Sequence, residues 1–196
     1  MKKDLIILGA VILSALLFSQ TGSSRVKYDR SVTVRKLPVQ DTTVKSPFEY
    51  KEFKITPTAS FRIEARLLGK RKYLWGKEAR LAPIDFALGW GPMSNYSVLK
   101  ELKISQFNRW YFYRYKKLPI MKKDIIAHSA NMHLIPATDE IARKIKSVRI
   151  GEIIDINGYL VNVSSGNRWR WNSSLSRTDT GNGSCEIIWV EEMTVK

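Results

Sequence analysis

The stretch IGEIIDINGYLVNVSSGNRWRW (150–171) decides the fold class. Ile150, Ile154 and Ile156 share one phase, Asn157-Gly158 suits a two-residue type I′ turn, and Tyr159, Val161 and Val163 lead back, so the pattern predicts a hairpin. Ser164 to Asn167 reads as the next turn. Trp169 and Trp171 then alternate with Arg168 and Arg170, which puts the indoles on one side of a strand and the guanidinium groups on the other.

Working outward, Cys185, Ile187 and Trp189 alternate in a final strand. Upstream, Phe61, Ile63, Ala65 and Leu67 alternate with Arg62, Glu64 and Arg66, giving an apolar face opposite a charged one. Ile104 to Tyr115 is rich in aromatic residues that favour a pleated surface, and reads as one extended segment crossing the core. Two short helices are expected. One spans Tyr96 to Leu102 behind a Ser94 or Asn95 cap; the other starts at Thr138, with Asp139 and Glu140 in its first turn and Ile141, Ile145 and Val148 along one face. Short strands joined by tight turns predict a mainly β, α+β domain over 48–196, built as a small OB-like or half-open barrel in which the strands near 61 and 110 complete the sheet.

The other end of the chain reads as an address. Leu5 to Phe18 is an apolar run of 14 residues behind Lys2 and Lys3, short for a span of about 20 residues and close to a secretory h-region. Residues 1–22 are therefore a signal-anchor or a cleaved signal peptide. The sites Ser19-Gln20-Thr21 and Gln20-Thr21-Gly22 are poor cleavage sequences, and no lipid-acceptor Cys follows. Lys2 and Lys3 place the N-terminus inside, whereas Arg25, Lys27, Arg30, Arg35 and Lys36 pull the other way. The expectation is a single-pass inner-membrane protein with a periplasmic domain, or its cleaved and secreted form. Residues 23–47, with Pro38, Pro47, several Ser and Thr and few large apolar groups, read as an extended linker.

The 196 residues carry a net charge of +15, and the excess lies in the domain rather than the leader. Such a surface attracts anionic envelope partners; export argues against nucleic acid. Cys185 is the only cysteine, so no internal disulfide forms.

FALGWGPMSN (86–95), ISQFNRWYFY (104–113), HSANMHLIPA (128–137) and WNSSLSRTDTGNGSCE (171–186) resemble the signature segments of a family of uncharacterised, single-anchor, mostly proteobacterial envelope proteins. The resemblance covers about residues 55–192. It implies a membrane-associated or secreted bacterial protein, and carries no catalytic assignment.

Site chemistry is read from the residues alone. His128 and His133, five apart, point about 140° apart on a helix and to opposite faces of a strand, so regular structure does not aim both at one metal ion. His133-Leu134-Ile135-Pro136-Ala137 echoes the histidine motif of ββα-metal nucleases, but Ala130-Asn131-Met132 stands where Asp-Arg-Gly is required. A hydrolase would draw on Ser173, Ser174 or Ser176, a histidine base and Asp179, yet no G-x-S-x-G elbow or Gly-rich oxyanion loop is present. Cys185 sits in a strand pattern rather than at an electropositive helix start, which argues against a Cys–His nucleophile. No metal or cofactor is expected. The polar excursion Asn172 to Ser184 is the candidate ligand loop, with Arg177 to grip an anion and Asp179 to orient it. With Trp90, Asn131, His133, Arg168, Arg170 and Ser174 these are the candidate ligand-binding residues of a non-catalytic binding or scaffold module. The alternative is a hydrolase built on His128, His133 and Asp179.

Overall fold

The computed structural model describes residues 30–43, 45–166, 168–176, 178–179, 181 and 183–196. The Leu5–Phe18 run and Arg177 lie outside the described residues. Among the described residues no helix is long and apolar enough to cross a membrane.

The chain is mainly β. Its strands are β1 (Val39–Asp41), β2 (Phe48–Tyr50), β3 (Phe53–Lys72), β4 (Ile84–Gly89), β5 (Leu102–Phe107), β6 (Trp110–Tyr115), β7 (Ser129–Pro136), β8 (Ile153–Ser165), β9 (Trp169–Trp171) and β10 (Glu186–Val195). Among the described residues four short helices interleave them: α1 (Lys77–Leu81), α2 (Tyr96–Leu99), α3 (Lys122–Ala127) and α4 (Asp139–Ser147). Neighbours run β3-β4-β7-β10-β8, and β8 pairs again with β3, so the five strands close on themselves. Among the described strands only β7 and β10 pair in parallel. With α4 between the third and fourth barrel strands, this is the OB-like barrel that the sequence pattern predicts.

β3 is the shared strand. Its first part pairs with β8 from Lys54 to Arg66, and its end pairs with β4 from Arg66 to Lys72, with irregularities at Pro57/Ala59 and Leu67/Gly69. Bulges of this kind bend a strand sharply, which lets 20 residues wrap around one end of the barrel. The inner phase of β3 carries Phe61, Ile63, Ala65 and Leu67 into the same core as Phe86, Leu88, Met132, Leu134, Ile154, Ile156, Ile188 and Val190. On the outer phase Arg62 makes a two-point pair with Asp155 at 3.0 and 3.1 Å.

Three expectations are corrected. Asn157-Gly158 is not a turn: both residues lie mid-strand in β8, which runs on for 13 residues between β3 and β10. Glycine is required there because a Cβ would meet the Trp189 carbonyl oxygen at 1.9 Å. Ile104–Tyr115 does not cross the core. It folds as the separate β5–β6 hairpin, whose two-residue turn is Asn108-Arg109 with φ of 48° and 68°, the positive pair that a type I′ turn needs. Arg66 is not on the charged face. It is fully buried and donates to the carbonyls of Ser94, Gly151 and Val32 at 2.6 to 2.8 Å.

Residues 23–29 of the stretch expected as a linker lie outside the described residues; the described part lies against the barrel from residue 32. Val34 enters the main core, its carbonyl accepts from Gly91 N, and its N–H donates to Ser94 Oγ. β1 then pairs with Arg62 to Ser60 of β3. The helix caps follow expectation: Asn95 Oδ1 accepts from Ser97 N at 2.8 Å, and Thr138 Oγ1 from Ile141 N at 3.2 Å.

Candidate polar cleft

β4 and β7 each bury both faces. Their inner phase is apolar, but the outer phase of β4 presents Asp85 and Ala87, and that of β7 presents Asn131, His133 and Ile135. Asp85 and His133 are register partners, and both are almost wholly buried. A carboxylate so placed requires compensation, since burying an unpaired charge costs several kcal/mol.

The β5–β6 hairpin supplies it. Arg109 Nη1 donates to Asp85 Oδ1 at 2.6 Å and to the Ala82 carbonyl at 2.9 Å, while Arg109 N donates to the Tyr73 hydroxyl at 2.9 Å. The guanidinium also lies 3.9 Å over the Tyr73 ring. His133 Nδ1 lies 2.9 Å from the same Asp85 oxygen without the alignment of a hydrogen bond, and its ring packs on Trp171. Asn131 ties the layers together. Its Nδ2 donates to the Arg109 carbonyl at 3.0 Å and, more weakly, to Asp85 Oδ2 at 3.4 Å; its Oδ1 accepts from Gln106 Nε2 at 2.7 Å.

Beside this cluster a cleft of about 320 Å³ opens between the hairpin, the start of β7 and the loop before β10. It is lined by Trp110, Tyr111 and Tyr113 of the hairpin, by Lys122 and Asn131, and by Ser176, Asp179 and Cys185. Ser174 Oγ donates to Asp179 Oδ2 at 2.6 Å and accepts from Ser176 N at 2.9 Å, which folds the polar loop on itself. Cys185 reaches the Arg109 carbonyl at 3.8 Å. Burial, and then the nearby carboxylates of Glu186 and Asp85, push the Cys185 thiol up to about 12, so it stays protonated and unreactive at neutral pH.

No family model, no curated protein and no solved structure matches the chain. The site therefore rests on its own chemistry. Segments 104–113, 128–137 and 171–186, read above as signatures, all contribute to the cleft wall, and segment 86–95 follows directly on Asp85.

The candidate residues do not converge on one constellation. His133 is locked between Asp85 and Trp171, while His128 Nδ1 lies 2.8 Å from the Asp124 carbonyl and its ring packs against Gly91. Neither lines the cleft with Asp179 and Glu186. Trp90 is 1% exposed and belongs to the main core, so its indole faces protein rather than a ligand. Arg170 is exposed on β9 as the alternation predicts, and Arg168 is exposed in the turn just before it. Among the described residues no three His, Cys, Asp or Glu side chains group to hold a metal ion.

Three participants escaped sequence reasoning: Asp85, Gln106 and Arg109. Asp85 sits in an apolar string, Ile84 to Leu88, where a lone acid signals a buried partner. Asn108-Arg109 lacks the glycine that marks most type I′ turns. The basic character of the hairpin was legible, since Lys100 to Lys123 holds eight Lys and Arg residues against one acid, Glu101.

Proposed function

We propose that this chain is a non-catalytic binding module of the bacterial cell envelope, held at or exported across the inner membrane by its N-terminal apolar run, that binds an anionic partner through a basic and aromatic-rich surface. The observation that supports it is a division of labour among the polar groups. Those suited to acid–base work, Asp85 and His133, are buried and committed to Arg109, Asn131 and Trp171, whereas the cations Arg168 and Arg170 stand exposed beside Trp169 and Trp171. Charges in that setting attract an anion without a chemical step.

The test is binding of the full chain, held in non-ionic detergent, to polyglutamate. Affinity should fall as salt rises from 0.05 to 0.5 M, because the screening length drops from over 10 Å to about 4 Å. R168E/R170E should weaken it about tenfold at the lower salt. Binding that ignores both salt and charge reversal overturns the reading.

A further inference from the structure

One end of the barrel carries apolar side chains that the fold leaves uncovered. Trp75 is 89% exposed, Phe107 69% and Leu74 67%, while Trp90 and Trp189 are buried at 1% and 7%. We propose that Leu74, Trp75 and Phe107 form a membrane-surface docking site whose occupant is a bilayer containing anionic lipid. This rests on the reading of the basic surface above, and narrows its anionic partner to lipid.

The two tips emerge together. Leu74-Trp75 lies in the loop from Tyr73 to Pro83 between β3 and β4, and Phe107 opens the turn of the β5–β6 hairpin. Arg109 joins them at both ends of the loop, through the Tyr73 hydroxyl and the Ala82 carbonyl, and stacks on the Tyr73 ring. The tips are thereby held in place before any partner arrives, so docking needs little further ordering of the chain.

The charge around them selects the occupant. Arg71 and Lys72 are exposed immediately before the loop. Lys77, two residues beyond Trp75, sits 5.2 Å over the Trp169 ring, which brings Arg168 and Arg170 to the same end. Of the acids there, Glu52 is paired with Arg80 at 3.0 Å, and Glu78, whose carboxylate lies against Gly76, is outnumbered by Arg71, Lys72, Lys77, Arg168 and Arg170. Indole and phenyl tips flanked by Lys and Arg match a headgroup boundary, where aromatic rings settle at the polar–apolar border and each cation is drawn to anionic lipid.

The experiment uses the full chain in vesicles of acyl-chain-brominated phosphatidylglycerol or phosphatidylcholine. The Trp75 signal is taken as the difference between wild type and W75F. Its emission should fall to half or less in brominated phosphatidylglycerol and stay unquenched in brominated phosphatidylcholine. L74S/F107S, which keeps Trp75, and R71E/K72E should each abolish the quenching. Equal quenching in both lipids would overturn the role of charge, since the N-terminal run alone would then explain proximity. An unquenched Trp75 with intact salt-sensitive polyglutamate binding would overturn the lipid site and leave the basic-surface reading standing. Loss of both would remove both.

Discussion

The two faces of the β4–β7 pair are buried by different means. The inner face is covered by the other strands of the barrel and filled with Phe86, Leu88, Met132 and Leu134. The outer face is covered by an insertion, the β5–β6 hairpin, and carries Asp85, Asn131 and His133 against Gln106 and Arg109. Apolar packing is tolerant of detail and specifies a shape. A buried ionic cluster costs desolvation and works in one arrangement only, so it fixes where the hairpin sits.

Substitution separates the faces. Phe86→Ala empties a fully buried position in the barrel and should cost about 3–5 kcal/mol in a denaturant titration, with a single transition. Arg109→Ala leaves Asp85 without its guanidinium and should cost about 2–3 kcal/mol. Hydrogen exchange should then show β5–β6 amides losing protection while β8 and β10 keep theirs. If the barrel amides loosen equally, the hairpin belongs to the same cooperative unit and the contrast between the faces fails. Gly158→Ala sharpens the comparison from the barrel side: its Cβ would press on the Trp189 carbonyl, and the strain of overpacking should be about 1–3 kcal/mol. An unchanged midpoint would mean that β10 can move away freely.

Legibility in the sequence followed the same division. Period-two alternation located β3, β9 and β10 and marked both halves of β8 as strand, and the caps at Thr138 and at Ser94 or Asn95 located two helices, because these signals are local. Asn157-Gly158 misled because the glycine answers a contact 31 residues away, the Trp189 carbonyl, rather than a turn. Arg66 misled for a related reason: its position in an alternating strand says which way it points, but not that Val32, Ser94 and Gly151 wait there with three carbonyls. His133 and Asn131 were marked by residue type, while their partner Asp85 was hidden in an apolar string. Side-chain chemistry was visible; tertiary pairing was not.

The ring order has a temporal consequence. β3 pairs with β8 about a hundred residues later, and β10, the last of the described strands, is the element that joins β8 to β7. No fragment that stops before Glu186 contains a closed barrel, so a ribosome must deliver β10 before the core can close. Contacts so distant in sequence also close slowly. Until β10 is in place, the edges of β7 and β8 have no strand between them.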